Sequence, residues 1–181
     1  LSDVVLPGMV HGALLLAQHP HARVLRIDTS AAEAMPGVKA VVTYRDVPDK
    51  RYGALVKDQR LFVKEGEKVT FLGDVVAAVA ATTIETAREA ARRIHVEYEV
   101  LEPIFDPEAA LAATENLIHP NVETYEAASD DLVKKGNDCG YTTIVKGDVA
   151  QGFAEADVVV EERYVVDHSH PAAIEPHGVL A

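Results

Sequence analysis

Two pairs of histidines have the spacing that a metal site on a strand would use. One residue separates His19 from His21, and one residue separates His168 from His170. Because side chains two apart on a strand point to the same face, either pair could offer two imidazole ligands. Two ligands do not complete a site, and no cysteine or carboxylate stands at an accompanying helical spacing. We therefore favour structural roles and assign no metal ligand.

Glu175 is the carboxylate with the most unusual neighbours, because it stands between Ile174 and Pro176. One interpretation is a buried acid that its apolar neighbours tune for proton transfer. The other is a structural carboxylate that accepts backbone hydrogen bonds, and we favour this second interpretation. Glu175 is therefore not assigned a catalytic role.

The remaining reactive or aromatic side chains predict no site of their own. Cys139 is the single cysteine, so the chain can form neither an internal disulfide nor an iron–sulfur cluster, and we expect an incidental thiol in a polar loop. Tyr52, Tyr125 and Tyr141 also fall in polar loops, where we expect them to cover local apolar surface. Dinucleotide, hydrolase-elbow and P-loop motifs are absent from the sequence.

Charge is distributed unevenly along the 181 residues, which carry a net charge of −12. Residues 1–100 hold 13 basic and 13 acidic side chains, whereas residues 101–181 hold 4 and 16. An acidic region without a basic stripe repels phosphate, so we expect no nucleic-acid partner. The sequence has no long apolar run and no basic-then-apolar leader. We therefore expect no membrane span and no signal peptide, and a cytoplasmic location.

The first part of the chain predicts alternating strands and helices. Apolar patterns indicate strands over residues 9–16, 24–27 and 38–44. Residues 30–33 (SAAE) have capping-box spacing and predict a short helix, in which the Ser30 hydroxyl and the Glu33 carboxylate bind free amides. Pro36-Gly37 should end that helix.

The sequence from residue 68 onward predicts a second group of elements, after an irregular polar segment over 45–67. Residues 68–72 and 75–81 flank Gly73-Asp74 and predict a hairpin whose second arm is a central strand.

A helix should follow that strand, with Thr82 or Thr83 as its cap. Its apolar stripe consists of small and branched residues at helical spacing. Residues 96–100 alternate as a half-buried strand that Pro103 ends. This order favours the α+β class with a mixed or antiparallel sheet and packed helices. The stripe residues are Ile84, Ala87, Ala90, Ala91 and Ile94.

The sequence predicts three regions along the chain. Residues 1–112 form the α+β domain, and residues 113–146 have few periodic apolar positions and predict an extended connector. Residues 147–181 begin a second domain, with a helical turn near residues 149–154 and strands at 158–160 and 163–167.

The segment from Pro7 to Thr43 resembles the opening of the molybdenum-cofactor subunit in the xanthine dehydrogenase/aldehyde oxidase family. It contains an apolar strand, His-Ala-Arg, an Ile-Asp strand end, a Ser/Ala helix ending in Pro-Gly-Val, and another apolar strand. The resemblance covers nearly the whole chain. Its later parts are GDVVAAVAATT (Gly73–Thr83), Ala90–Pro103, KGDVAQGFAEADVVVEERY (Lys146–Tyr164) and HPAAIEP (His170–Pro176).

The resemblance implies the fold and the role of each region. Residues 1–112 would be the α/β hammerhead domain, and residues 147–181 the truncated first strands of the molybdopterin-binding domain. The family's catalytic glutamate follows a Gly-rich loop, and this chain has no two adjacent glycines. We therefore expect the loop, its glutamate and the pterin-binding segments to follow Ala181. Accordingly we assign no catalytic, cofactor-binding or metal residue within the chain.

The resemblance also implies the whole enzyme's partners and chemistry. The complete subunit would carry molybdenum–molybdopterin, which we do not expect this portion alone to bind, and would pass electrons to iron–sulfur and flavin subunits or domains. Ser169 stands where xanthine dehydrogenase relatives have a glutamine, which favours carbon monoxide dehydrogenase-like or hydroxybenzoyl-CoA reductase-like relatives and leaves the substrate open. Strands without partners predict a homo-oligomer or other self-association. The alternative function is a stand-alone, non-catalytic interaction or scaffold module with the hammerhead fold.

Overall fold

The computed structural model describes residues 3–129, 132–141, 143–167, 169–175 and 177–181. They form short strands, four α-helices and two 3₁₀ turns. In chain order the elements are β1 (His11–Leu16), β2 (Ala22–Asp28), α1 (Ser30–Glu33), β3 (Val38–Val42), a 3₁₀ turn (Tyr44–Asp46), β4 (Arg51–Tyr52), β5 (Gln59–Arg60), β6 (Lys68–Val69), β7 (Val75–Ala81), α2 (Ile84–Arg93), β8 (His95–Val100), α3 (Pro107–Ala112), a 3₁₀ turn (Val122–Thr124), β9 (Val133–Lys135), β10 (Asp138–Tyr141) and α4 (Val149–Glu155).

The chain folds as two units, one spanning residues 8–142 and the other combining residues 1–7 with 143–181. In the first unit, β7 is the central strand of a three-stranded sheet and pairs antiparallel with β1 and β3. Val76, Ala77 and Val79 of β7 are buried. The predicted central strand is therefore confirmed.

A second antiparallel sheet has the order β6-β2-β8. Val24 and Ile27 of β2 and Val69 of β6 are buried, and they join the apolar core that also includes the buried residues of β7. Two antiparallel sheets with packed helices confirm the α+β class.

The hairpin predicted between residues 68–72 and 75–81 is wrong, because the two strands belong to different sheets. Both edges of β7 are already occupied, by β1 and β3, so β6 pairs with β2 instead. The Asp74 carboxylate accepts hydrogen bonds from Thr70 N at 2.6 Å and from Thr70 Oγ1 at 2.8 Å. These bonds close residues 70–74 into a compact loop that carries the chain from one sheet to the other.

The capping box predicted for Ser30 and Glu33 is also wrong, although helix α1 does form there. The Asp28 carboxylate accepts hydrogen bonds from Ser30 N at 3.1 Å and from Ser30 Oγ at 2.6 Å. The Glu33 carboxylate instead accepts a bond from the Thr29 hydroxyl at 2.6 Å. Since Asp28 satisfies both Ser30 donors, Ser30 is the first residue of the helix rather than its cap. Gly37 follows with a φ of 92°, as a helix-ending glycine does.

Helix α2 covers the first sheet, packing on β1 and β7. Its N-cap is Thr83, whose hydroxyl accepts a hydrogen bond from Thr86 N at 3.1 Å. Ala87, Ala90 and Ala91 are buried. Their small side chains allow the helix axis to approach the sheet closely, as the apolar stripe predicted.

The irregular-looking segments hold more order than their composition indicates. Within residues 45–67, β4 and β5 pair antiparallel. Val56 forms an isolated bridge with Ala127, Val122 is buried, and β9 pairs with β10. The assignment of residues 113–146 as a connector stays a prediction.

The described part of the second unit contains one helix, α4, near the predicted helical turn. The strands predicted at 158–160 and 163–167 do not form: residues 156–167, all of them described, contain no helix or strand. Val160 and Val166 are 80% and 91% exposed. A strand exists only where a neighbour accepts its backbone hydrogen bonds, and no such neighbour occurs in the described part of this unit.

Among the residues that the structure describes, no helix has both the length and the apolar character needed to cross a membrane.

Candidate functional site

His19 and His21 serve two different structural purposes. The His21 ring is 1% exposed, and its Nδ1 donates a hydrogen bond of 2.9 Å to the Glu102 carbonyl oxygen. The His19 ring packs edge-on against Tyr98, with ring centroids 5.1 Å apart. His19 and His21 do not share a strand face, which a metal site of this spacing would require, because residues 17–21 connect β1 to β2 and form no strand.

The second histidine pair and Glu175 lie in the 143–181 segment. His168 falls outside the described residues. His170 Nδ1 accepts a hydrogen bond of 2.9 Å from Ala172 N. Ser169 and Glu175 are exposed, so the structure gives Glu175 no buried setting. Its role as a structural carboxylate stays a prediction.

Cys139 and the three loop tyrosines occupy different settings. Cys139 is exposed on strand β10 rather than in a loop. Tyr52 and Tyr141 are exposed on short strands. Tyr125 instead lines a cleft, together with residues that no sequence motif marks.

That cleft, which we call the basic cleft, has a volume of about 580 Å³ and lies within the 8–142 unit. Its volume falls in the range of small-molecule sites, roughly 300–1,000 Å³. Its cationic wall residues are Arg23, Arg51, Arg60 and Lys68; its rings are Phe71, His119 and Tyr125; its acids are Asp58, Glu67 and Asp74.

Tyr125 organises one wall of the basic cleft. The Arg51 guanidinium carbon lies 4.3 Å from the Tyr125 ring centroid, a cation–π contact, and the His119 ring meets Tyr125 edge-on at 5.7 Å. Arg51 Nη1 also donates a hydrogen bond of 3.0 Å to the Asp58 carbonyl oxygen. Burial lowers the pKa of His119 below its ordinary value, while the Asp58 charge acts the other way. The imidazole is therefore neutral near pH 7.

Lys68 is a second cation of the basic cleft. Its ammonium donates hydrogen bonds to the Leu117 carbonyl oxygen at 3.1 Å and to Asn116 Oδ1 at 3.5 Å. Partial burial, and to a lesser extent the Arg23 charge, lowers the pKa of Lys68. The ammonium therefore lies among neutral oxygens with another cation nearby.

The other two cations of the cleft have acidic partners. Arg60 Nε lies 2.9 Å from Glu67 Oε2, and a second nitrogen of Arg60 contacts Asp49. Arg23 Nε lies 3.1 Å from Glu99 Oε2. Arg51 and Lys68 take no part in these ion pairs, so they are the two cations of the cleft whose charge the pairs leave uncompensated.

Sequence reasoning missed this cleft for a physical reason. Its walls come mainly from residues 51–74 and from residues 118–125, two polar segments without a recognisable motif. No spacing along the chain indicates their approach, since backbone pairing such as Val56 with Ala127 brings them together.

The molybdenum–pterin group that the resemblance implies does not fit the described residues of this chain. Among those residues, no group of three His, Cys, Asp or Glu side chains is placed to hold a metal. The described residues of 143–181 are all exposed, so they form no enclosed pocket for a pterin.

Two family descriptions match the chain in consecutive order. "Aldehyde oxidase and xanthine dehydrogenase, a/b hammerhead domain" matches residues 1–102, and "Molybdopterin cofactor-binding domain" matches residues 132–181.

Relatives that match almost the full chain include large subunits of dehydrogenases. The chain is 34% identical to "Nicotinate dehydrogenase large molybdopterin subunit" of Eubacterium barkeri, over 97% of this chain and 38% of that protein. It is 36% identical to a probable xanthine dehydrogenase subunit from Bacillus subtilis, over 100% of this chain and 22% of that protein. The chain therefore spans well under half the length of these relatives.

Solved structures agree with the sequence matches. A crystal structure of a copper- and molybdenum-containing CO dehydrogenase in its carbon monoxide-reduced state superposes with a TM-score of 0.68 and 31% identity. The superposition covers 87% of this chain and 20% of the other. With its hammerhead match extending over more than half of its residues, the chain belongs to the aldehyde oxidase and xanthine dehydrogenase family.

Proposed function

We infer that the chain is the N-terminal portion of the large subunit of a molybdenum-dependent oxidoreductase, and that it acts there as a structural part without its own active site. The observation that carries this inference is the order of the two family matches, hammerhead first and molybdopterin-binding second, within 22% of a relative's length.

The role proposed for each unit follows from its burial. The 8–142 unit has a closed apolar core and supplies a rigid body. The 143–181 segment presents exposed apolar side chains such as Val158, Tyr164 and Ile174. Covering these side chains with a further part of the same subunit would remove apolar surface from water and so stabilise the subunit.

The cofactor and partners belong to the complete subunit in this proposal. It holds molybdenum–molybdopterin, passes electrons to iron–sulfur and flavin subunits or domains, and works in the cytoplasm. The named relatives differ in the substrates that their names give, so the substrate stays open among purines, aldehydes, carbon monoxide, aromatic CoA thioesters and other compounds.

The test compares two proteins made in cells that synthesise the molybdenum cofactor. One is this chain, and the other is the product of its complete reading frame. We expect stoichiometric molybdenum by elemental analysis, and oxidoreductase activity with an artificial electron acceptor, only in the longer protein.

Two results would contradict the proposal. Stoichiometric molybdenum in this chain alone would show that it carries its own cofactor site. A reading frame that stops directly after Ala181 would favour the alternative, a non-catalytic scaffold module with the hammerhead fold.

A further inference from the structure

The basic cleft holds hydrogen-bond donors beyond those that its described neighbours engage. An ammonium has three N–H donors, and Lys68 directs two of them at Leu117 and Asn116. A guanidinium has five, and within the described part of the chain Arg51 directs one of them at the Asp58 carbonyl oxygen. Both cations are thus able to bind an anion in the cavity that they line.

The cleft also has the apolar surface that a flat ring would require. Val63 is a buried part of its lining, and the rings of Tyr125 and Phe71 line it as well. Phe71 is 53% exposed and forms the rim, whereas His119 is neutral and adds no charge. Together with the volume of about 580 Å³, these walls suit a small planar molecule rather than a bare inorganic ion.

The acids of the cleft do not all oppose an anion. Glu67 is paired with Arg60, so its charge is compensated locally. Asp74 accepts hydrogen bonds from Thr70 but keeps its negative charge. The charges of Asp58 and Asp74 both act on His119, so both carboxylates oppose an anion in the cleft. The Asp58 backbone carbonyl oxygen also accepts a hydrogen bond from Arg51.

We propose that the basic cleft is a binding site for a small aromatic carboxylate, with Lys68 and Arg51 binding the carboxylate and Tyr125 and Phe71 flanking the ring. A carboxylate accepts a bidentate pair of hydrogen bonds from a guanidinium, and its charge balances that of the Lys68 ammonium. The proposal does not depend on the proposed function, because none of the residues lining the cleft falls within the 132–181 match.

The test titrates the full 181-residue chain with benzoate, benzamide and inorganic phosphate at constant ionic strength, followed by amide NMR shifts. Benzamide keeps the ring and removes the charge, and phosphate keeps the charge and removes the ring. We expect benzoate to shift the amides of residues 68–71 and 118–125, and to bind at least about tenfold more tightly than either comparison compound.

Three variants locate the contacts. Lys68→Met and Arg51→Met remove a charge while retaining an apolar stem, and each should weaken benzoate binding about tenfold or more. Asp58→Asn removes one of the two repulsive charges and should tighten binding. Arg88→Met, an exposed change on helix α2, is the matched control and should leave binding unchanged. The amide spectrum of each variant shows whether it is folded.

Several outcomes would overturn the proposal. Equal binding of benzamide and benzoate would exclude recognition of the charge, and equal binding of phosphate would exclude recognition of the ring. Undiminished binding by a folded Lys68→Met or Arg51→Met variant, shifts confined to other residues, or no binding at all would each contradict the site.

Discussion

Glu65 shows how one side chain can hold separate segments together. Its carboxylate accepts hydrogen bonds from Ile27 N at 2.7 Å, from the Tyr44 hydroxyl at 2.9 Å and from Arg45 Nη2 at 2.8 Å. The backbone bond from Ile27 is the largest of the effects that lower the pKa of Glu65 below its ordinary value of 4.5. One carboxylate thus connects β2, the 3₁₀ turn after β3 and the loop before β6.

Glu65→Gln should destabilise the 8–142 unit by about 1–2 kcal/mol near neutral pH, since it replaces a charged acceptor by a neutral one. The folded pKa lies below the unfolded one, so the stabilisation is present above pH 4.5 and is lost as the pH falls through the folded pKa. The difference between wild type and variant should therefore shrink in acid. Urea unfolding measured from neutral pH into the acid range tests this.

The exposed variant Glu97→Gln serves as the control for that series. A difference between wild type and Glu65→Gln that stays constant with pH would show that the charge of Glu65 does not carry the effect.

At the scale of elements, helix α2 depends on the small size of its buried face. Ala87 and Ala90 are 0% exposed and lie on the side of the helix that packs on the sheet. Alanine contributes little apolar area, but it lets the helix approach β7, whose inward positions Ala77 and Val79 are also small or branched.

Ala90→Leu should destabilise the protein by about 1–3 kcal/mol, because the added carbons must displace the helix or strain neighbouring side chains. The matched control is Arg92→Leu on the same helix, where the side chain is 74% exposed and the cost should stay below about 0.5 kcal/mol. Thermal or urea unfolding measures both. Equal stability of the two variants would mean that the helix can move away from the sheet at no cost.

At the scale of the whole molecule, the two units differ in how they bury apolar surface. The 8–142 unit contains all the residues of the described apolar core. The 143–181 segment exposes its large apolar side chains, and its sequence interleaves them with acidic residues such as Asp157, Glu161 and Glu162. The second unit should therefore be the more accessible one, both to a protease and to other copies of the chain.

Limited trypsin digestion should first cut the chain after Lys146, which is exposed and lies outside every element. Lys134 should be cut later, because it lies in strand β9 and its ammonium contacts the Tyr125 carbonyl oxygen. Mass spectrometry should then find a persistent product ending at residue 146, and Lys146→Gln should abolish that product, because trypsin does not cut after glutamine. Early cleavage between Lys68 and Tyr98 would contradict a stable first unit.

The full chain should self-associate, and more strongly at high salt. Burial of Val158, Val160 and Val166 against another copy stabilises the associated form by about 25 cal/mol for each Å² of apolar surface buried. Repulsion between the acidic residues opposes association, and salt screens that repulsion. Light scattering at low and high ionic strength measures the mass. A double variant, Val158→Lys with Val160→Lys, should remain monomeric, and a salt-independent monomer for the parent chain would contradict the prediction.

The sequence by itself determined the class, the family and the strongest elements. Alternation and helical spacing are local, so β7 and helix α2 could be predicted directly, whereas the choice of Thr83 over Thr82 as the cap came from the structure. The ordered motifs from Pro7 to Thr43 and beyond were enough to identify the family. Strands at 158–160 and 163–167 were predicted from the same kind of pattern and did not form, since a strand also needs a partner.

Only the tertiary structure decided which strands pair and where the basic cleft lies. β6 and β7 are close in sequence and yet join different sheets, because the edges of β7 are occupied by β1 and β3. Likewise, Arg51, Lys68 and Tyr125 carry no motif, and they meet because pairing distant in sequence folds one polar segment onto another. Local patterns indicate the conformation of a segment, whereas sheet pairing and clefts depend on which segments compete for the same partner.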